Sequence, residues 1–184
     1  MSRPRIEPAR PPFAPDVQAL LDRTMRGAPP LALFTTLARD PRLLHKLFAA
    51  SLLDRGHLTA RQREIVIDRT TALCGAEYEW GVHVAIYGGH VGLTPAQIHS
   101  LVHGEPHDDC WPEAERPLLH LCDALHADCD IDDALWAALR RQFSDEAMLE
   151  LLMLAGLYRM VSGLTRALRL APEPGAACFP SPAA

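Results

Sequence analysis

The chain reads as an all-α domain, and three observations say so. Between residues 15 and 171 no run alternates β-branched and polar residues as a half-buried strand does. No Asn-Gly or Asp-Gly pair offers a tight hairpin turn. Ser, Thr or Asp repeatedly precedes an apolar pattern with a period near 3.6 residues, the mark of capped amphipathic helices.

The elements follow in order. Residues 1–15 hold five prolines and read as a flexible Pro/Arg-rich arm. One helical domain spans 16–171, and a flexible Pro/Ala-rich tail with four prolines closes the chain over 172–184. Asp16 caps a first helix whose stripe is Val17, Leu20 and Leu21, and Pro29-Pro30 ends it. A short helix over 31–38 comes next. Asp40 then caps a helix with Pro41 at its first position, running to about 54. Thr59 caps a helix that reaches Leu73 and stops at Gly75. Another runs over 77–88. Thr94-Pro95 opens one to about 102, and the polar loop HGEPHDDCW follows. Further helices are expected over 112–126, 132–142 and 145–170. For the last, Leu149, Leu152, Met153, Leu157, Met160, Val161 and Leu164 are expected to form the core or an oligomer interface.

Composition narrows the class. A chain of 184 residues can bury a sizeable core. Net charge is −5 and lysine occurs once, at Lys46, which argues against a nucleic-acid surface. No uninterrupted apolar stretch reads as a membrane span, and the N-terminus has no apolar signal segment. The cytoplasm is the expected setting. The five cysteines are odd in number, and none forms Cys-x-x-Cys. Reduced thiols, mostly buried as small hydrophobes, are the expectation.

Chemistry concentrates between Arg61 and Leu93. Glu79 and His83 are four apart and share a helix face, whereas Glu77 points about 200° away from Glu79. Trp80 flanks that stripe and can shield it from water. Glu64, Asp68 and Thr71 repeat on one face of the preceding helix. If Gly75 turns the chain back, Glu64 approaches His83. A carboxylate that accepts from one imidazole nitrogen fixes the tautomer and frees the other nitrogen for proton transfer. The residues alone leave a second reading open. In it, Glu79 and His83 form a solvated helical pair and Glu64 pairs with Arg61 or Arg69. The loop carrying His103, His107 and Cys110 matches no strong metal motif.

The segment LTARQREIVIDRTTALCGAEYEWGVHVAIYGGHVGLTPAQI resembles the core helical hairpin of the carboxymuconolactone decarboxylase family, within the alkyl hydroperoxidase D-like superfamily. The segment ALHADCDIDDALWAALRRQFSDEAMLELLMLAGLYRMVSGLTRAL resembles the C-terminal half of longer members. The resemblance implies a helical bundle built on a central antiparallel hairpin, assembled as a homo-oligomer, often a trimer or hexamer. The peroxidase branch places two cysteines between its glutamate and its histidine. Glu64 and His83 match the outer positions, but Ala76 and Glu79 stand where those cysteines fall. A disulfide-cycling peroxidase needs both thiols, so that activity is disfavoured, with Cys74 a poor substitute at a helix C-terminus.

The decarboxylase branch implies acid–base chemistry on a small unsaturated carboxylate or lactone, without metal or cofactor. His83 would deliver the proton, with Glu64 and Glu79 tuning it. Trp80, Tyr158 and Arg61 are the candidate substrate contacts. A helical oligomer with a binding role and no turnover is the remaining alternative.

Overall fold

The computed structural model describes residues 3–182. Its helices are α1 (Pro15–Met25), α2 (Ala32–Leu37), α3 (Pro41–Ala49), α4 (Ala60–Leu73), α5 (Glu77–His83), α6 (Pro95–His103), α7 (Arg116–Asp128), α8 (Asp133–Arg140) and α9 (Asp145–Leu168). A π-helical turn, Val84–Gly88, continues α5. Among the described residues there is no strand, so the all-α reading holds.

Helix α4 is the axis of the fold, packed against α5, α6, α7 and α9. Every residue from Glu64 to Thr71 is buried, as expected for a helix surrounded on all sides. Its start is fixed by a capping box in which Thr59 and Gln62 satisfy each other's backbone N–H groups. Gly75, at φ +63°, turns the chain back into α5, forming the expected hairpin. The main core gathers Ile65, Val66 and Ile67 of α4, Leu118, Leu119 and Leu121 of α7, and Leu151 and Leu154 of α9.

Several boundaries differ from expectation. Asp16 lies inside the first turn of α1 rather than at its cap and meets His45 at 3.1 Å. Helix α3 stops at Ala49, so the segment to Asp54 is irregular. Helix α7 begins at Arg116, because residues 113–115 form a turn before it. The stripe of α9 is also rotated. Leu149, Met153 and Met160 are exposed, while Leu151, Leu154, Ala155, Tyr158, Val161 and Thr165 face the core. Polar Ser162 and Thr165 can be buried because Ser162 donates to the Tyr158 carbonyl and Thr165 to that of Ser162, at 2.7 and 3.2 Å. By length and composition α9 could also cross a bilayer, but its inner face is part of the core.

Among the described residues, 3–14 and 172–182 form no helix, and both stretches, expected as flexible, make hydrogen bonds to the helical body. Arg5 N–H donates to the Leu168 carbonyl, and Ala9 N–H to that of Thr35, each at 2.9 Å. In the tail, Glu173 accepts from the Tyr78 hydroxyl, and Phe179 N–H donates to Glu77 at 2.8 Å. Ala177 N–H donates to the Gly81 carbonyl at 3.0 Å. This crossing needs glycine, because a Cβ at Gly81 would lie 2.1 Å from the Ala177 oxygen.

Candidate active site

The hairpin brings Glu64, on the second turn of α4, against His83, at the end of α5. Glu64 Oε2 lies 2.8 Å from His83 Nδ1. On the other edge of the ring, Nε2 lies 3.1 Å from the Tyr158 hydroxyl and 3.5 Å from Glu79 Oε1. Glu64, Glu79, His83 and Tyr158 are all buried, contributed by α4, α5 and α9. The solvated-pair reading is therefore set aside.

Burial opposes charge on His83, yet the hydrogen bonds and charges of Glu64 and Glu79 outweigh it and push its pKa up to about 10. At neutral pH the ring is an imidazolium: Nδ1–H donates to Glu64, and Nε2–H faces Tyr158 and Glu79. Burial, with Glu79 and Glu64 nearby, holds the Tyr158 phenol well above its ordinary value.

Two further residues belong to the cluster. Asp68, one turn after Glu64, is fully buried, and neither of its oxygens has a hydrogen-bond partner. Burial raises its pKa well above the usual carboxyl range, opposed by His83 and reinforced by Glu64. Tyr87, in the π turn, tilts against the imidazole with ring centroids 5.4 Å apart, and it is the half-buried member of the group. The spacing that joins Glu79 to His83 also points from His83 to Tyr87, so the signal was present in the sequence. Single-turn π segments are frequent at functional sites.

The remaining candidates have other tasks. Arg61 forms a two-pronged pair with Glu115, at 2.6 and 2.9 Å, and donates to the carbonyls of Val91 and Gly92. That ties α4 to the loop before α6 rather than to the imidazole. Arg69 pairs with Asp123 at 2.7 Å, and Arg159 donates to the last carbonyls of α7. Trp80 is fully buried, with its edge against Phe179 of the tail at 5.0 Å. Cys74 is half-buried rather than buried, and its sulfur lies 3.8 Å from His126 Nδ1. His103 donates to the Pro180 carbonyl, and His107 packs against His120. Among the described residues no group of three or more His, Cys, Asp or Glu is set to hold a metal ion.

The sequence model of the carboxymuconolactone decarboxylase family matches residues 41–118, which include Glu64, Glu79 and His83. Residues 41–118 are a carboxymuconolactone decarboxylase family segment. No curated protein sequence matches the chain. Among solved structures, one similar fold is a peroxidase-related protein of Ralstonia eutropha JMP134, described as an alkylhydroperoxidase AhpD core. It is 20% identical, with 94% of each chain covered and a TM-score of 0.78. A peroxidase-related protein of Silicibacter sp. TM1040 is 18% identical, with 98% of this chain and 100% of that one covered and a TM-score of 0.79. The debrominase Bmp8 is 15% identical, with 93% of each chain covered and a TM-score of 0.77. At these identities the likeness shows a shared fold over nearly the whole chain.

Proposed function

We propose that the protein is a cofactor-free acid–base enzyme that moves a proton on a small unsaturated carbonyl compound, with His83 carrying the proton. The observation behind this reading is the imidazole held between two carboxylates, Glu64 at 2.8 Å and Glu79 at 3.5 Å. Glu64 anchors Nδ1, so Nε2, which faces Tyr158 and Glu79, is the nitrogen that exchanges a proton with a substrate. Such an imidazolium stabilises an enolate as it forms and can protonate the adjacent carbon.

The charge inventory favours one substrate class. Glu64 and Glu79 outnumber the single imidazolium, and Arg61, Arg69 and Arg159 are occupied elsewhere. A carboxylate substrate would therefore enter a site of net negative charge. An uncharged lactone or enone carries no such cost, so proton transfer on a lactone is preferred over decarboxylation. Thiol peroxidation is disfavoured by Ala76 and Glu79 at the cysteine positions. The cytoplasm is the proposed setting, and self-association as a trimer or hexamer is part of the reading.

A second reading draws on the enclosure of His83, 4% exposed: the cluster is structural and the protein a non-catalytic oligomer. Incubating unsaturated lactones, enones and β-keto acids with the protein in D2O separates the two. Deuterium incorporation or isomerisation, lost in His83→Ala and Glu64→Ala variants that remain folded, supports the enzyme. No turnover across the panel, or turnover unchanged in both variants, overturns it. Carbon dioxide release from the acids alone would overturn the preference for neutral substrates.

A further inference from the structure

A cavity of about 170 Å³ lies between α4, α7 and α9, and none of the acid–base cluster lines it. Leu125 of α7, with Leu152 and Ala155 of α9, makes its walls largely apolar. An apolar cavity of about 150 Å³ holds one benzene molecule. This one therefore has room for a single six-membered ring.

Thr70 of α4 is part of the wall, 6% exposed, and its Oγ1 has no hydrogen-bond partner. A helical threonine can donate to the carbonyl four residues back. Thr71 does so, to Ile67 at 2.8 Å. For Thr70 that carbonyl belongs to Val66, and it accepts instead from the Cys122 thiol at 3.7 Å. The Cys122 sulfur beside Thr70 is a weak acceptor. Buried polar groups are satisfied as a rule, so the partner of this hydroxyl is sought in the cavity.

Gly156 keeps the cavity open. Glycine weakens a helix interior relative to alanine, yet a Cβ here would meet nothing within 4 Å. Packing within the chain gives the position no reason to be glycine. Because Gly156 lines the cavity, any side chain there would take up its space.

Charge orients an occupant. Arg159, exposed at the cavity wall, uses Nη1 alone on the carbonyls of Leu125 and His126, at 2.9 and 3.1 Å. Among the described residues no carboxylate pairs with it. On the side of α8 the cavity adjoins a wider groove lined by Asp130 and Asp133, which repel an anion. The Arg159 end is the one that attracts it.

We propose that this cavity binds a compact monocarboxylate built on one six-membered ring, its carboxylate at Arg159 and a hydroxyl or keto oxygen opposite, at Thr70. The site is separate from His83, so the assignment does not depend on the acid–base reading.

The test is an NMR titration of the isotope-labelled full chain with para-hydroxybenzoate. Two controls accompany it: para-methylbenzoate, which lacks the inner oxygen, and para-cresol, which lacks the carboxylate. The expected result is saturable shifts at Thr70, Cys122 and Ala155, with Kd of about 1 mM or tighter and about 3- to 10-fold weaker for each control. Thr70→Val should erase the preference for hydroxyl over methyl. Arg159→Gln should erase the preference for the acid over cresol, a preference that also fades with added salt. Gly156→Leu has open space for its Cβ and favours the helix, so it should melt no lower than wild type and lose binding. Should that variant fail to fold, the two polar variants still decide. Binding that survives in folded Gly156→Leu would overturn the cavity as the site, as would shifts confined to His83 and Tyr87. Equal affinity for the hydroxy and methyl acids would overturn the role of Thr70, and cresol binding as tightly as the acid would overturn the carboxylate. No saturable shift up to about 20 mM would overturn the whole proposal.

Discussion

Glu64 Oε2 and His83 Nδ1 sit 2.8 Å apart although 19 residues separate them in the chain. That contact turns two adjacent helices into one chemical unit and sets the pH behaviour of the fold. The folded pKa of His83, about 10, lies above its unfolded value near 6.5. A raised histidine contributes stability that is fully present below the unfolded value and is lost as pH rises through the folded one. The melting temperature of wild type relative to His83→Gln should therefore fall between about pH 6.5 and pH 10. Calorimetry at one-unit steps checks this, and imidazole NMR of Glu64→Gln should show His83 titrating lower.

Tyr158 tests whether the outer edge of the ring matters. A hydrogen bond to a charged group is worth about 1.5–3 kcal/mol. Tyr158→Phe should therefore reduce turnover roughly 10- to 100-fold, with the fold intact. Steady-state kinetics on a substrate found by the D2O screen provides the measurement.

Arg61 should behave as a structural residue. Replacing it with Ala strips Glu115 of its partner and frees two carbonyl acceptors, at a cost of about 1–3 kcal/mol in urea unfolding. Its KM should stay within about twofold of wild type, since the guanidinium does not face the imidazole. A KM that rose tenfold with stability unchanged would restore Arg61 as a substrate contact.

Asp68 carries the opposite sign from His83. It is an acid whose folded pKa is raised, so its burial costs stability that grows as pH climbs above about 4. Asp68→Asn removes that pH dependence. The difference in melting temperature between Asp68→Asn and wild type should move in favour of the variant from pH 4 to pH 7. A constant difference would show that Asp68 ionises normally in the fold.

Gly81→Ala should force the tail off α5. The new methyl would overlap the Ala177 carbonyl at 2.1 Å, and overpacking of this kind costs about 1–3 kcal/mol. Trp80 fluorescence should shift as Phe179 leaves, and proteolysis after residue 172 should speed up.

Much of this was legible in the residues. Thr59 and Gly75 bound α4 through local capping chemistry, which one sequence fully displays. The face shared by Glu79 and His83 follows from helical phase alone. What the sequence hid depends on the third dimension. Arg61 has the right charge near the right helix, but its partner Glu115 lies 54 residues away. The apolar stripe of α9 left core and oligomer interface both open, because period shows that a face exists and not which way it points. Ser162 and Thr165 are buried because they bond back to the helix, a use of polar residues that composition does not reveal. Proline-rich ends signal only the lack of a helix, so the attachments of Glu173 and Phe179 were out of reach.

The enclosure of His83 has a consequence for affinity. A ligand can meet a ring only 4% exposed after Tyr87 or its neighbours have moved. The measured dissociation constant is then the intrinsic one divided by the fraction of molecules that are open. An opening populated about 1% of the time weakens apparent binding about 100-fold without altering any contact in the bound state. Under the proposed function saturation comes late, and substitutions that loosen the π turn should tighten apparent binding before they harm the fold.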